Sequence, residues 1–395
     1  MPKLATAARV LCLALPLFLA PAAVAEQPES GAKRSPVFPS TPLSPYYDFK
    51  EDLHDRTGFS WLINYSIITQ GRVGNPFGGE NYNANGQLDL IGSLDLDFRR
   101  FGEGWGQGRA VVYYMNIHLI GGLTTTQFST LNGNITPIND SDPAHFLRQA
   151  YYRHDFLEER LSIMGGQTEP VLIFGDNRYA IDDRDKFMVV PMATVGAKDR
   201  VVSSPGGLVI LKLLPWFHVG GSVNQLDPTD SSVPVPPELV DVDLYAIANI
   251  TFDFEVPRLG RGIYRINGIF TGAQGPNGST EGIALSFDQD LGSRWGAFFR
   301  YDDTEFQTLT SSLSRTLSFG LFHRSPFGRE ADRFGVGAFQ SLSEEGGDFA
   351  EWGSEVFYKF GLTRWCDLTL NLQVFDAAKS SDTFATMGGR VFFRF

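Results

Sequence analysis

The chain has 395 residues, with 33 Lys and Arg against 45 Asp and Glu, so its formal net charge at pH 7 is −12. An acidic chain without a basic run is excluded as a nucleic-acid binder, because phosphate neutralisation needs clustered Lys and Arg. Its 42 Gly and 33 Phe favour many short, turn-linked strands over helices. After residue 25 no apolar run approaches the ~20 residues that a membrane-spanning helix needs, which excludes a helical membrane protein.

The first 25 residues have the three parts of a secretory signal peptide. Lys3 and Arg9 form the basic part, residues 10–20 the apolar part, and the Ala-Val-Ala of residues 23–25 the cleavage site. We therefore predict a signal peptide over 1–25. Residues 26–45 are rich in Pro and Ser without a period, which predicts a flexible periplasmic leader. Cys366 is then the one cysteine of the mature chain, so no intrachain disulfide forms.

From about residue 57 onwards, apolar and polar residues alternate along the chain. In the segment 366–375, for example, Leu370 belongs to the apolar face and Asn371 to the polar face. A soluble sandwich strand has this pattern, and so has a membrane barrel strand with lipid on one side and a wet lumen on the other. Length separates the two, because these segments run roughly 9–12 residues, which is enough to cross a bilayer at a tilt.

Sixteen segments share this alternation, and an even number is what a single-chain bacterial barrel requires. They are 57–69, 87–98, 108–119, 145–155, 160–167, 206–213, 216–224, 243–254, 262–270, 281–289, 294–302, 313–323, 333–340, 351–360, 366–375 and 384–395. The connections after segments one, three, five and seven are long, namely 70–86, 120–144, 168–205 and 225–242. We therefore predict a transmembrane antiparallel up-and-down β-barrel over 46–395, with both termini on the periplasmic side.

The last segment ends in an aromatic residue. Reading back from Phe395, the alternate residues Phe393, Val391 and Gly389 are uncharged. This ending resembles the signal that the outer-membrane barrel assembly machinery reads. We therefore predict that Phe395 belongs to an assembly signal and that this machinery is a partner.

Several stretches, in their order along the chain, resemble the carbohydrate-selective porins of the OprB type. They are 49–58 (FKEDLHDRTG), 161–167 (LSIMGGQ), 282–289 (GIALSFDQ), 325–337 (SPFGREADRFGVG) and 355–373. The resemblance spans about 46–395. It implies a porin of the Gram-negative outer membrane that lets small hydrophilic solutes, above all carbohydrates, diffuse through a water-filled barrel, without enzymatic activity or a cofactor. The implied partners are outer-membrane lipid, lipopolysaccharide and small sugars. The sequence does not decide between a monomer and a homotrimer.

The connection 168–205 is the longest, and it follows the segment from which porin loops commonly fold into the lumen. Its nearly balanced charges suit a neutral polyhydroxylated solute, because carboxylates accept from sugar hydroxyls and Arg donates to them. Tyr179, Phe174 and Phe187 are candidates for stacking on a sugar ring. The same charges can instead pair with the barrel wall and pin the loop, so both interpretations stay open. The pore-constriction candidates are Glu169, Asp176, Arg178, Tyr179, Asp182, Asp183, Arg184 and Lys186.

Other chemistry has little support in the sequence. The six His are scattered without metal-ligand spacing, and no nucleophile motif is present, so no catalytic, cofactor-binding or metal-ligating residue is predicted. A general or ion-selective diffusion porin is the main alternative, and a hydrolase or adhesion barrel is a more distant one. A lumen plugged by side chains is disfavoured by small residues on inward positions, namely Gly220, Ser222, Ala284, Ser286, Gly335 and Gly337.

Overall fold

Sixteen strands form one closed antiparallel sheet in which each strand pairs with its neighbours in sequence and β1 pairs with β16. The computed structural model describes residues 43–73, 81–131, 143–180, 185–193, 203–225, 244–272, 280–304, 313–343, 349–376 and 383–395. The strands are β1 Phe59–Arg72, β2 Tyr82–Asp97, β3 Gln107–Gly122, β4 Ala144–Phe156, β5 Leu161–Thr168, β6 Ser204–Leu214, β7 Phe217–Gln225, β8 Leu244–Val256, β9 Gly260–Thr271, β10 Thr280–Leu291, β11 Trp295–Thr304, β12 Leu313–Arg324, β13 Arg333–Ser343, β14 Phe349–Gly361, β15 Cys366–Asp376 and β16 Thr383–Arg394. Each predicted segment overlaps one strand, so the predicted sixteen-stranded barrel is confirmed.

In the part of the chain that the structure describes, four short α-helices accompany the strands: α1 Ser44–Thr57, α2 Thr125–Leu131, α3 Pro170–Gly175 and α4 Val190–Ala193. Helix α1 was not predicted, and it begins inside the stretch 26–45 that the sequence assigns to a flexible leader. It starts beside a proline and stops at Gly58, whose φ of 72° is the left-handed conformation that ends helices. Within the described residues, none of the helices is both long and apolar enough to cross a membrane.

The two faces of β15 have opposite surroundings, as the alternation predicted, whereas on β10 and β11 residues of both faces are buried. In β15 the inward residues Thr369, Asn371 and Gln373 are buried, whereas Leu370 and Leu372 on the outer face are 51% and 44% exposed. A shift of one residue would reverse every side chain, so this burial fixes the register. The outer surface of β15 is therefore apolar, and the inner surface of this strand is polar over Thr369–Gln373.

The two ends of the barrel differ in their connections. Turns 98–106, 157–160, 215–216, 257–259, 292–294, 325–332 and 362–365 lie at the same end as α1 and Phe395, which we call the turn end. The long connections 123–143, 169–203 and 226–243 leave from the opposite end, the loop end. The predicted contrast between short turns and long loops is thus confirmed for these connections.

Aromatic side chains on the outer face occur near both ends, and others, such as Phe287, Phe299 and Phe319, lie between them. At the turn end they are Phe59, Trp61, Tyr152, Phe156, Phe217, Phe252, Phe254, Trp295, Tyr358, Phe360 and Phe393, and at the loop end Tyr82, Phe270 and Trp352. On β14, Trp352 and Phe360 are eight residues apart. That separation is about 27 Å along the strand and about 20 Å along the axis of a tilted barrel. Two aromatic belts around an apolar band are typical of transmembrane barrels.

Candidate pore-lining loop

The described residues of the connection 169–203 run from β5 inside the barrel to the far wall. Asn177 donates through Nδ2 to the main-chain oxygen of Phe287 on β10 at 3.1 Å. Met188 packs against Ile68 of β1, on another side of the lumen. The predicted inward-folded loop is therefore confirmed for its described residues, 169–180 and 185–193.

Apolar packing holds the first part of this loop. Helix α3 buries Val171 and Phe174 against inward residues of the wall such as Tyr245 and Ile247. The cavity left between them is about 10 Å³, the space of roughly one water. Gly220 of β7 makes the approach feasible, since a Cβ there would lie 2.7 Å from the ring of Phe174. The wall is thus shaped to receive α3.

Glu169, the first pore-constriction candidate, is paired with the wall. Its two carboxylate oxygens accept from Arg148 at 2.8 and 2.9 Å, and Gln149 donates to it at 3.1 Å. The side chain is buried. Glu169 therefore pins the start of the loop to β4.

Arg178 joins two carboxylates of β10. Its Nε donates to Asp288 and its Nη1 to Asp290 at 3.2 Å. Arg265 also donates to Asp288, at 3.1 Å, and Arg324 to Asp290, at 2.9 Å. Arg178 is 21% exposed and Asp288 is fully buried, so the guanidinium faces the lumen while its main partner lies behind it. Arg178 both pins the loop and contributes charge to the lumen.

The three rings named as stacking candidates are buried anchors instead. Tyr179 donates to Asp290, and a Cβ at Gly296 would lie 2.2 Å from its ring. Burial, together with that hydrogen bond, raises the pKa of Tyr179. Phe187 lies against Gly335 and is likewise inaccessible. We interpreted the inward glycines as open space in the lumen. Some of them instead make room for side chains of the loop, as Gly220 does for Phe174 and Gly335 for Phe187.

Asp185 and Lys186 connect the loop to β14 and β16. Asp185 accepts from Lys359 and lies 3.5 Å from Arg394. Burial alone would raise the pKa of Asp185, but these cations outweigh it and hold the pKa at about 2. The main-chain oxygen of Lys186 accepts from Arg390 at 3.3 Å. Asp185 therefore joins loop and wall through ion pairs, and Lys186 joins them through its main-chain oxygen.

Glu355 of β14 holds the next part of the loop and was not among the sequence candidates. Its carboxylate accepts from the main-chain N–H groups of Met188 at 3.0 Å and Val189 at 2.9 Å. Gln373 donates to the same carboxylate at 3.0 Å. Alternation places Glu355 on an inward position, which is the signal that could have found it.

Of the described loop residues, Asp176 is the one with an exposed side chain, at 54%. It lies 3.7 Å from Arg265 of the wall. With the partly exposed Arg178 it supplies the polar groups that the described loop presents to the lumen. The remaining candidates Asp182, Asp183 and Arg184 lie outside the described residues.

Metal-ligating side chains do not converge in this part of the molecule. Within the ten described stretches, no three His, Cys, Asp or Glu side chains are placed to hold a metal ion. The chemistry available to the described site is therefore hydrogen bonding and charge.

Comparison with known proteins identifies the fold. The chain is similar to the high-pH structure of Pseudomonas putida OprB, at a TM-score of 0.73 and 15% identity over 89% of this chain and 97% of that one. It is also similar to the outer membrane channel DcaP of Acinetobacter baumannii, at a TM-score of 0.54 and 13% identity over 85% and 97%. A BenF-like porin from Pseudomonas fluorescens Pf-5 follows at 0.50 and 10% over 85% and 98%.

At these identities the likeness shows a shared fold. No protein-family model matches the chain, and no curated protein matches it.

Proposed function

We propose that this protein is a porin, a water-filled channel through which small hydrophilic solutes diffuse passively. The observation that carries the proposal is the closed sixteen-stranded barrel, whose inner face carries buried polar and charged groups and is crossed by the described residues of the connection 169–203. Sixteen strands leave an aqueous channel, unlike eight, whose interior side chains fill. The loop narrows that channel and brings charged groups into it.

The Gram-negative outer membrane is the location that we propose. The two aromatic belts and the apolar band between them suit a lipid bilayer. The signal peptide predicted over 1–25 would deliver the chain to the periplasm, and Phe395 would then present the assembly signal. In the folded barrel, Phe395 pairs with Ile63 of β1 at 2.8 Å and stacks on Trp365.

Neutral polyhydroxylated solutes, above all sugars, are the substrate class that we propose. The lumen presents both a carboxylate and a guanidinium group, since Asp176 is 54% exposed and Arg178 is 21% exposed. Such pairs accept from and donate to hydroxyl groups with little net field to select an ion. Because Phe174, Tyr179 and Phe187 are buried, recognition relies on hydrogen bonds rather than on ring stacking. The fold shared with OprB supports the same substrate class.

Single-channel recording in a planar bilayer tests both levels of the proposal. The purified protein should give steady current, and added sugar should block it. Asp176→Asn should weaken the block, because one hydroxyl acceptor in the lumen is lost. Glu51→Gln, which alters an exposed acid on α1 outside the barrel, should leave the block unchanged. Current without sugar block would favour a general diffusion pore, and absence of current would refute the channel.

A further inference from the structure

Four arginines at the turn end are exposed and form no ion pair with a carboxylate among the described residues. They are Arg160, Arg258, Arg294 and Arg364, which we call the rim arginines. Each lies in a different short turn, respectively 157–160, 257–259, 292–294 and 362–365. Together they place a guanidinium group at four of the seven turns around this end, and in turn 157–160 the exposed Glu158 and Glu159 stand beside it, Glu159 at 3.6 Å from Lys212.

The arginines on the inner wall behave differently. Arg109 is 57% exposed and Arg261 is 49% exposed, yet each donates to a carboxylate on a neighbouring strand. Arg153 is likewise paired, with Asp155. In a chain with more acids than bases, an exposed arginine has ample carboxylates to pair with. Exposure alone therefore does not explain why the rim arginines stand without one.

The rim arginines adjoin the outward aromatic belt. Arg294 precedes Trp295, and Arg364 precedes Trp365, directly in sequence. The turn of Arg160 follows the outward Phe156 of β4. Aromatic belts lie at the level of lipid headgroups, so the turns just beyond them lie at the level of the phosphates. A guanidinium there reaches a phosphate that the apolar band cannot.

We propose that the rim arginines bind the phosphate groups of anionic phospholipids in the leaflet around the turn end. A guanidinium presents two parallel N–H donors that match two phosphate oxygens, and it is attracted to negative charge. The proposal rests on the membrane location proposed above and adds a lipid partner to it. A lipid is favoured over a soluble partner because the arginines border the lipid-facing aromatics rather than the lumen.

Native mass spectrometry tests this proposal. The whole protein is released from detergent micelles that contain either phosphatidylglycerol or phosphatidylcholine, and the lipid that stays bound is measured. Wild-type protein should retain phosphatidylglycerol preferentially. Changing all four rim arginines to Gln should weaken the retention of phosphatidylglycerol. The expected loss of affinity is roughly fivefold for each arginine, because one such contact contributes about 1 kcal/mol and a tenfold change in affinity corresponds to about 1.4 kcal/mol. The matched control changes Arg109, Arg153 and Arg261 to Gln, which removes charge from the inner wall and should leave lipid retention unchanged.

Each outcome bears on the proposal. Equal retention of phosphatidylglycerol by the rim variant and the wild type would overturn it, as would displacement of the lipid by millimolar inorganic phosphate. Lipid retention that is unchanged, with lost binding to isolated cell-wall fragments, would also overturn it and assign the rim to the cell wall. If the rim variant fails to fold, the four-Lys variant should fold and prefer the anionic lipid less than the wild type does. Absence of channel current in the wild type would refute the porin and leave the lipid result standing.

Discussion

At the scale of single residues, neighbours in sequence face entirely different surroundings. Leu370 on the outer face is 51% exposed, and the residues before and after it are buried inside the barrel. An Arg on the lipid face near mid-bilayer costs ~2–4 kcal/mol. Leu370→Arg should therefore lower the yield of folded barrel, measured as the heat-modifiable band on a gel, whereas the volume-conserving Leu370→Met should not. Equal yields would place Leu370 away from lipid.

Arg178 is the single loop residue whose charge we expect to matter most. In Arg178→Ala this charge is removed. Asp288 still pairs with Arg265 and Asp290 still pairs with Arg324, so each carboxylate keeps one partner, but the lumen becomes more negative. The channel should shift toward cations, which the reversal potential in a salt gradient measures. The control Arg56→Ala changes an exposed ion pair on α1 and should not shift it. An unchanged reversal potential would show that Arg178 lies outside the ion path.

The residues of the loop could be predicted, but their roles could not. Nearly balanced charges at 168–200 were visible in the sequence, and so were the inward glycines. The partner of Arg178, Asp288, lies 110 residues further along the chain. Its identity depends on how the loop is placed against the wall, which alternation within strands does not determine. For the same reason, the sequence did not indicate that Phe187 of the loop fills the space above Gly335 of the wall.

At the scale of elements, the loop 169–203 depends on receptors in the wall. Glu355 accepts from two main-chain N–H groups, so it holds the loop whatever side chains the loop carries there. Its truncation leaves those donors without their acceptor, a loss of about 1–3 kcal/mol for each buried group.

We therefore expect Glu355→Ala to loosen the loop and widen the pore. Single-channel current should become larger and noisier, and larger neutral polymers should enter the channel. Asp95→Asn removes a carboxylate of β2 that pairs with Arg109 of β3 near the turn end, and it should leave the polymer cut-off unchanged. The same cut-off in both variants would show that Glu355 does not set the aperture.

Helix α1 shows where element prediction fails. Its end signals, Pro45 and Gly58, were present in the sequence. Its position depends on contacts with distant parts of the chain, since Tyr47 donates to the main-chain oxygen of Arg394 and Lys50 to that of Phe395, each at 2.9 Å. The strands were easier to predict because a period of two repeats sixteen times, whereas α1 occurs once and is stabilised by tertiary contacts.

At the scale of the whole molecule, the lengths of the connections indicate which end of the barrel faces which side of the membrane. In outer-membrane barrels the short turns face the periplasm and the longer loops face the exterior. We expect the connection 226–243 to face the cell exterior, since it leaves from the loop end. A protease site inserted near Asp230 should be cut in intact cells. The same site inserted in turn 292–294 should be cut once the outer membrane has been opened. The opposite pattern would reverse the orientation of the barrel.

The pairing of β1 with β16 imposes an order in time. Asn64 and Arg394 are register partners although they are 330 residues apart in sequence. Contacts between such distant residues form late and slow folding. Until they form, the sheet has two edges whose unpaired N–H and C=O groups are templates for aggregation. The barrel therefore has no protected partial structure, and we expect the exported chain to need a chaperone that shields its edge strands until the last strand closes the ring.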